Sequence, residues 1–225
     1  MSPMPEPKEV AHALPQLSRP YRRSELVADG TVHVVGVALG IAGAIWLALM
    51  APALATFGER VAVSIYAIGL VCMLLASAAY NMWPLTPRKL WLRRLDHSAI
   101  YIMIAGTYSP FIAQIQNSWT SLMLFLGVWA AAISGLIMKL AMPKRFERLS
   151  VLLYLALGWS GIGAYDSLGR ALDHQTWVLL GIGGVIYSVG VGFHLGEALP
   201  FHNVIWHVFV LVAAICHYFA VLGLL

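Results

Sequence analysis

Residues 31–55 read Thr-Val-His-Val-Val-Gly-Val-Ala-Leu-Gly-Ile-Ala-Gly-Ala-Ile-Trp-Leu-Ala-Leu-Met-Ala-Pro-Ala-Leu-Ala, a run without a single Asp, Glu, Lys or Arg. Crossing the roughly 30 Å hydrocarbon core of a bilayer takes about 20 apolar residues in helix, and this run is long enough. A cleaved secretory leader has a shorter apolar core. Here the run follows a polar stretch holding Pro3, Pro5, Pro7, Pro15 and Pro20. It therefore reads as a membrane span. Residues 1–24 are expected to form a disordered polar tail, and residues 25–225 one membrane domain.

Six further runs of the same kind follow, at about 61–83, 97–115, 120–140, 149–165, 177–194 and 204–224. Their separators are loop-like, among them Phe57-Gly58-Glu59-Arg60, Gln116-Asn117-Ser118 and Met142-Pro143-Lys144-Arg145. The composition agrees: 60% of the chain is hydrophobic and 11% charged, whereas a soluble domain is about 25% charged. So few charges cannot cover a soluble globule. The runs are continuous and lack period-2 alternation, which argues against a transmembrane β-barrel. The expected fold class is an all-α membrane protein, a seven-transmembrane helix bundle.

Within that bundle, Gly36, Gly40 and Gly43 should allow close helix packing. Trp83, Trp91, Trp119 and Trp177 read as interfacial anchors, and Pro110 should kink or end the third helix. Cys72 and Cys216, inside apolar runs, read as small buried hydrophobes.

Orientation follows from the basic residues. Lys8, Arg19, Arg22 and Arg23 precede the first span. Arg88, Lys89, Arg93 and Arg94 separate spans two and three, and Lys139, Lys144, Arg145 and Arg148 separate spans four and five. The other side holds only Arg60 and Arg170. Cytoplasmic loops carry the excess of Lys and Arg, so the N-terminus is expected in the cytoplasm and the C-terminus outside. Basic clusters abutting spans are explained by orientation and anionic headgroups, so membrane lipids are the expected partners and nucleic acid is not. The expected location is a bacterial inner (plasma) membrane.

With that orientation the unusual polar residues gather at one face. Asp29 and His33 open the first span, and Ser77 and Asn81 close the second. Asp96 and His97 open the third, His194 and Glu197 close the sixth, and Asn203 and His207 open the seventh. Asp29/His33, Ser77/Asn81 and Asn203/His207 are each four apart, so each pair shares a helix face. Ionisable groups at membrane depth turn inward and find partners. These residues are expected to line a joint pocket for lipid or a small apolar ligand. His217, deeper in the last span, is either an interhelical hydrogen bonder or the pocket floor. His12 and His174 should be solvated.

Three blocks carry a resemblance to a known family. They are Glu25-Leu26-Val27-Ala28-Asp29-Gly30-Thr31-Val32-His33; Ser77-Ala78-Ala79-Tyr80-Asn81 with Asp96-His97-Ser98 and Gly106-Thr107-Tyr108-Ser109-Pro110; and Ile205-Trp206-His207 ending at Cys216-His217-Tyr218. The chain resembles the bacterial haemolysin III proteins of the progestin and adipoQ receptor superfamily, whose seven helices also start in the cytoplasm. The resemblance implies a membrane-embedded hydrolase. Its zinc is held by a histidine at the end of helix two and two histidines four apart at the start of helix seven, beside a serine and an aspartate. Ser77, Asp96 and His207 match, but Asn81 and Asn203 stand where two of the three metal ligands belong. Amide oxygens suit hard cations better than zinc. A hydrogen-bonded network of Asn81, Asn203, His207 and Asp96 is therefore expected in place of tight zinc; no cofactor is assigned, and zinc is the alternative, with His33, His97 and His194 as conceivable further ligands. His202 lies five residues before His207, about 140° round an ideal helix, and should face elsewhere.

Two functions follow. One is a non-catalytic or metal-depleted member acting in membrane lipid binding, sensing or homeostasis. The alternative is a metal-dependent lipid amide hydrolase of the ceramidase kind, with Asp96 as general base and Ser77 donating to water or the developing oxyanion. A pore-forming haemolysin fits less well, since clustered basic residues beside the spans describe a resident membrane protein. A reporter that works only outside the cytoplasm, fused after Leu225, should be active; a cytoplasmic C-terminus would overturn the odd span count.

Overall fold

The computed structural model describes residues 21–53, 56–141, 147–196 and 198–225, without the side chains of residues 147 and 148. The tail up to residue 20, Lys144, Arg145, the Arg148 side chain and Glu197 lie outside the described residues.

Seven helices follow one another and no strand occurs among the described residues. They are α1 (Arg23–Met50), α2 (Phe57–Met82), α3 (Pro87–Ala113), α4 (Ser118–Ala141), α5 (Glu147–Trp159), α6 (His174–Leu195) and α7 (His202–Leu222). Five of them, α1, α2, α4, α6 and α7, are long and apolar enough to cross a membrane. Leu26, Val34, Leu39, Ile68, Leu152 and Val185 are among many large apolar side chains left exposed. An apolar outer surface of this extent belongs in lipid.

The other two helices depart from a plain apolar rod for physical reasons. Four basic residues crowd the start of α3, and its span carries Ser98, Thr107, Tyr108 and Ser109. It packs against α2, α4, α5 and α7, so these polar groups meet protein instead of lipid. Pro110 sits in its last turn, and the helix runs on to Ala113.

α5 ends at Trp159 and gives way to a 3-10 segment, Ser160–Ala164, then one short turn, Tyr165–Leu168. The run at 149–165 is thus a broken span, interrupted where Gly158, Gly161 and Gly163 weaken helix. Irregular backbone survives at membrane depth only where its polar groups are satisfied. Tyr108 of α3 does this. Its hydroxyl donates to the Gly158 carbonyl at 2.7 Å and accepts from the Gly161 N–H at 2.7 Å.

Consecutive helices pack side by side, and α1 closes the ring against α7. The predicted small residues do bring helices together: a Cβ on Gly40 would strike Leu74 of α2, and one on Gly43 would lie 2.9 Å from the Tyr218 ring of α7. Helix starts on the side assigned to the exterior have side-chain caps. Thr56 and Glu59 cap each other's backbone N–H at α2, Asn117 accepts from Trp119 and Thr120 at α4, and Asp173 accepts from Thr176 at α6.

Four smaller expectations need correction. Trp83, Trp91 and Trp119 are exposed, but Trp177 turns inward against Tyr165. Cys72 is exposed and Cys216 half-buried, so neither is a buried core residue. Lys139 belongs to the last turn of α4, is buried, and donates to Ser150 at 3.4 Å. His217 bonds the Ala213 carbonyl of its own helix at 2.8 Å, not a neighbouring helix, while its ring lines the interior.

Gly135 of α4 lies against the Tyr101 ring, which is 1% exposed, and an added Cβ would overlap that ring. Gly127 on the same helix has open space around it. Gly135→Ala should lower stability by about 1–3 kcal/mol through overpacking, whereas Gly127→Ala should match or exceed the parent. Thermal melting in detergent reads the difference; equal melting would refute this packing.

Candidate functional site

Glu25, Asp29 and His33 recur every four residues along one face of α1, and all three are buried. The Glu25 carboxylate accepts from the Arg22 N–H at 2.8 Å and from the Phe201 N–H at 2.8 Å. Phe201 has φ 57° and ψ 14°, a left-handed conformation that bulky residues avoid. Glu25 thereby holds the strained entry to α7 and sets where that helix begins.

Asp29 lies one turn further on. Its Oδ1 is 2.6 Å from His207 Nδ1, and its Oδ2 accepts from Asn203 Nδ2 at 3.0 Å. Asn203 Nδ2 also reaches Asn81 Oδ1 at 3.2 Å. Asn81 Nδ2 bonds the Ser77 carbonyl at 3.0 Å and stands 3.4 Å from His207 Nε2. With Nε2 accepting from Asn81, the ring's proton sits on Nδ1 and is donated to Asp29. Four predicted residues from three helices thus form one network.

His33 belongs to the same group by position. Its Nε2 stands 3.7 Å from Asp29 Oδ2, too far for a hydrogen bond, and its ring centroid is 4.3 Å from that of His207. The expected network placed Asp96 at its end. The carboxylate that closes it is Asp29 instead, because α1 packs on α7, while Asp96 on α3 stands beside Ser77. Ser77 and Asp96 form a second pair on the wall of the same cavity. His202 is buried but stacks on Tyr21, and His194 packs against Trp206, so neither joins the cluster.

The mouth is basic. Lys89, at the start of α3 and outside the apolar span, donates to the Trp83 carbonyl at 2.9 Å and covers the Tyr80 ring. Burial holds its ammonium below the ordinary lysine value, opposed by the Asp29 charge.

All these groups open on one cavity of about 1630 Å³. The rest of its lining includes the apolar side chains Met103, Phe111, Leu172, Leu180 and Val210, with Thr107, Lys139, Ser188 and His217 among them. Drug-sized ligand pockets occupy roughly 300–1,000 Å³, so this one has room for a long chain.

The zinc positions implied by the resemblance do not fit the metal. Asn81, Asn203 and His207 offer one imidazole and two amides already bonded to each other and to Asp29. Zinc sites draw on imidazole, thiolate and carboxylate. Glu25 escaped attention as a site residue, although the spacing that paired Asp29 with His33 extends back to it.

Fold and site together define a seven-helix membrane protein with an internal polar pocket at one end. The family described as Haemolysin-III related matches residues 22–218, and the chain belongs to it. It is 34% identical to "Hemolysin-3 homolog" of Bacillus subtilis over 198 residues, covering 88% of this chain and 93% of that one. It is 36% identical to "Hemolysin-3" of Bacillus cereus over 201 residues, with 88% and 90% covered. Human "Monocyte to macrophage differentiation factor" is 27% identical over 171 residues, covering 72% and 70%. No solved structure matches the chain.

Glu25→Ala should strand a half-buried Phe201 N–H at a strained residue, at a cost of about 1–3 kcal/mol. For a chain of this size that lowers the melting temperature by roughly 2–4 °C per kcal/mol. Hydrogen exchange at residue 201 should quicken with it. Phe201→Gly should do the reverse and stabilise by about 1 kcal/mol. Unchanged melting in both would refute the tether.

Proposed function

We propose that the protein is a resident of the bacterial plasma membrane that binds a membrane lipid inside the bundle. The headgroup sits at the Asp29–Asn203–His207 end, and an acyl chain runs along the apolar walls. The cavity carries this reading: one continuous space that joins the Asp29–Asn203–His207 cluster to many apolar and aromatic side chains, in a protein whose outer surface already calls for lipid. Lys89 and Arg93 line the cavity, where positive charge suits an anionic headgroup. Asp29, Asn81 and Asn203 supply donors and acceptors that can orient a headgroup or its linkage.

A second reading, lipid amide hydrolysis, is favoured by the Ser77–Asp96 pair. There Asp96 takes a proton from water, and the Ser77 hydroxyl donates to the oxygen on which charge develops.

A phospholipid with a photoreactive acyl chain tests the first reading. Cross-links are expected at Leu180 and Val210, inside the cavity. Gly181 lines this space with nothing near its Cβ direction, so Gly181→Trp should fill it and cut those cross-links several-fold without lowering the melting temperature. Cross-links confined to lipid-facing residues, or untouched by Gly181→Trp, would sink the proposal. Release of fatty acid from an amide-linked lipid, lost in Asp96→Asn, would transfer support to hydrolysis.

A further inference from the structure

We infer that Asp29, His33 and His207 form a divalent transition-metal site of the zinc type, in place of the helix-two and helix-seven positions where asparagines stand. Each of the three offers one ligand atom, and all three atoms lie within 4.8 Å of one another. Two imidazoles and a carboxylate are a donor set that zinc accepts, whereas hard cations prefer all-oxygen surroundings.

The measured edges bear on this directly. Asp29 Oδ1 to His207 Nδ1 is 2.6 Å, and Asp29 Oδ2 to His33 Nε2 is 3.7 Å. Tetrahedral zinc with bonds of about 2.0–2.1 Å sets its ligand atoms roughly 3.3 Å apart. The short edge is a hydrogen bond, which opens when the metal replaces the proton between the two atoms. The 3.7 Å contact is to the other carboxylate oxygen, so bringing both imidazoles to one metal-bound oxygen also turns the Asp29 carboxylate. These shifts need only side-chain rotation at the ends of α1 and α7.

A second observation points to a ligand. The side chain of His33 is 5% exposed, and its Nε2 is buried with no hydrogen-bond partner. A buried imidazole nitrogen left unsatisfied is destabilising. This one faces Asp29 and His207, where a metal ion would satisfy it.

The two asparagines then take a supporting role. Asn203 donates to Asp29 Oδ2 and aims that carboxylate. Asn81 contacts His207 Nε2, the ring nitrogen on the far side from Asp29. Groups that orient metal ligands in this way sharpen affinity without touching the ion. All three ligands line the cavity, so the remaining coordination position opens toward whatever the cavity holds.

Full-length protein in detergent, stripped with chelator, is titrated with Co(II) and followed by visible ligand-field absorption; bound Zn(II) is measured by elemental analysis. One equivalent of four-coordinate Co(II), displaced by one equivalent of Zn(II), is expected. His33→Gln and Asp29→Asn should each abolish four-coordinate Co(II) binding, because zinc-type sites draw on at least three protein ligands. Asn203→Ala should weaken it about 10–100-fold. His202→Ala and His217→Ala should leave it unchanged. Melting of each metal-free variant separates lost ligation from lost fold, and the isosteric Asp29→Asn carries the comparison if His33→Gln does not fold. A parent that binds no metal, equal binding by folded His33→Gln, or loss on His202→Ala instead would overturn the site.

Discussion

A hydrogen bond of 2.6 Å between Asp29 and His207 joins the first helix of the bundle to the last. A carboxylate at a helix end in a membrane must be paired or hydrated, and an imidazole beside it must settle its proton. Meeting each other satisfies both. It also fixes the rotation of α1 and α7, so that Glu25 reaches the Phe201 N–H one turn away and Asn203 reaches Asp29 from the same side. The apolar part of the contact then follows. Gly36 admits Leu211 at van der Waals distance, and Gly43 admits the Tyr218 ring. Hydrophobic burial cannot drive this closure, because lipid is as apolar as the helix surfaces it would replace. Close packing and internal polar bonds have to do so.

Much of this was legible because lipid imposes simple rules. Apolar runs longer than the bilayer, separated by turn residues, announce helices wherever they face lipid. The rule weakens for helices surrounded by protein. α3 carries Thr107 and Ser109, whose hydroxyls donate to carbonyls of their own helix, and Tyr108, which bonds the broken fifth span, so its apolar signal is correspondingly diluted. In α5 the apolar run is intact while the helix is not. Its glycines permit the break, but the Tyr108 hydroxyl that makes the break tolerable lies some 50 residues away in the chain. No local pattern reveals such a pairing.

The site was legible to the level of which residues share an end. Four-residue spacings placed Asp29 with His33 and Asn203 with His207, and the basic residues placed both pairs at one face. Which carboxylate bonds His207 was a question of ring order: α1 packs along α7 more extensively than α3 does. Trp177 and Cys72 went astray for a related reason. A side chain near the end of an apolar run can face either lipid or bundle, and residue type alone does not say which.

The distribution of caps adds a last step. Outer helix starts at Thr56, Asn117 and Asp173 are closed by their own local side chains, in a few residues of sequence. The start of α7 has no side-chain cap of its own and enters through a left-handed Phe201. Its stability is borrowed from Glu25, on the far end of the chain in sequence, and from the Asp29–His207 bond beyond it. A local cap would have been simpler if stability alone were at stake. The same residues that hold α7 in place also line the cavity, so whatever occupies that space acts on the contact that closes the ring. Binding there and the registry of α1 against α7 are therefore two aspects of one equilibrium.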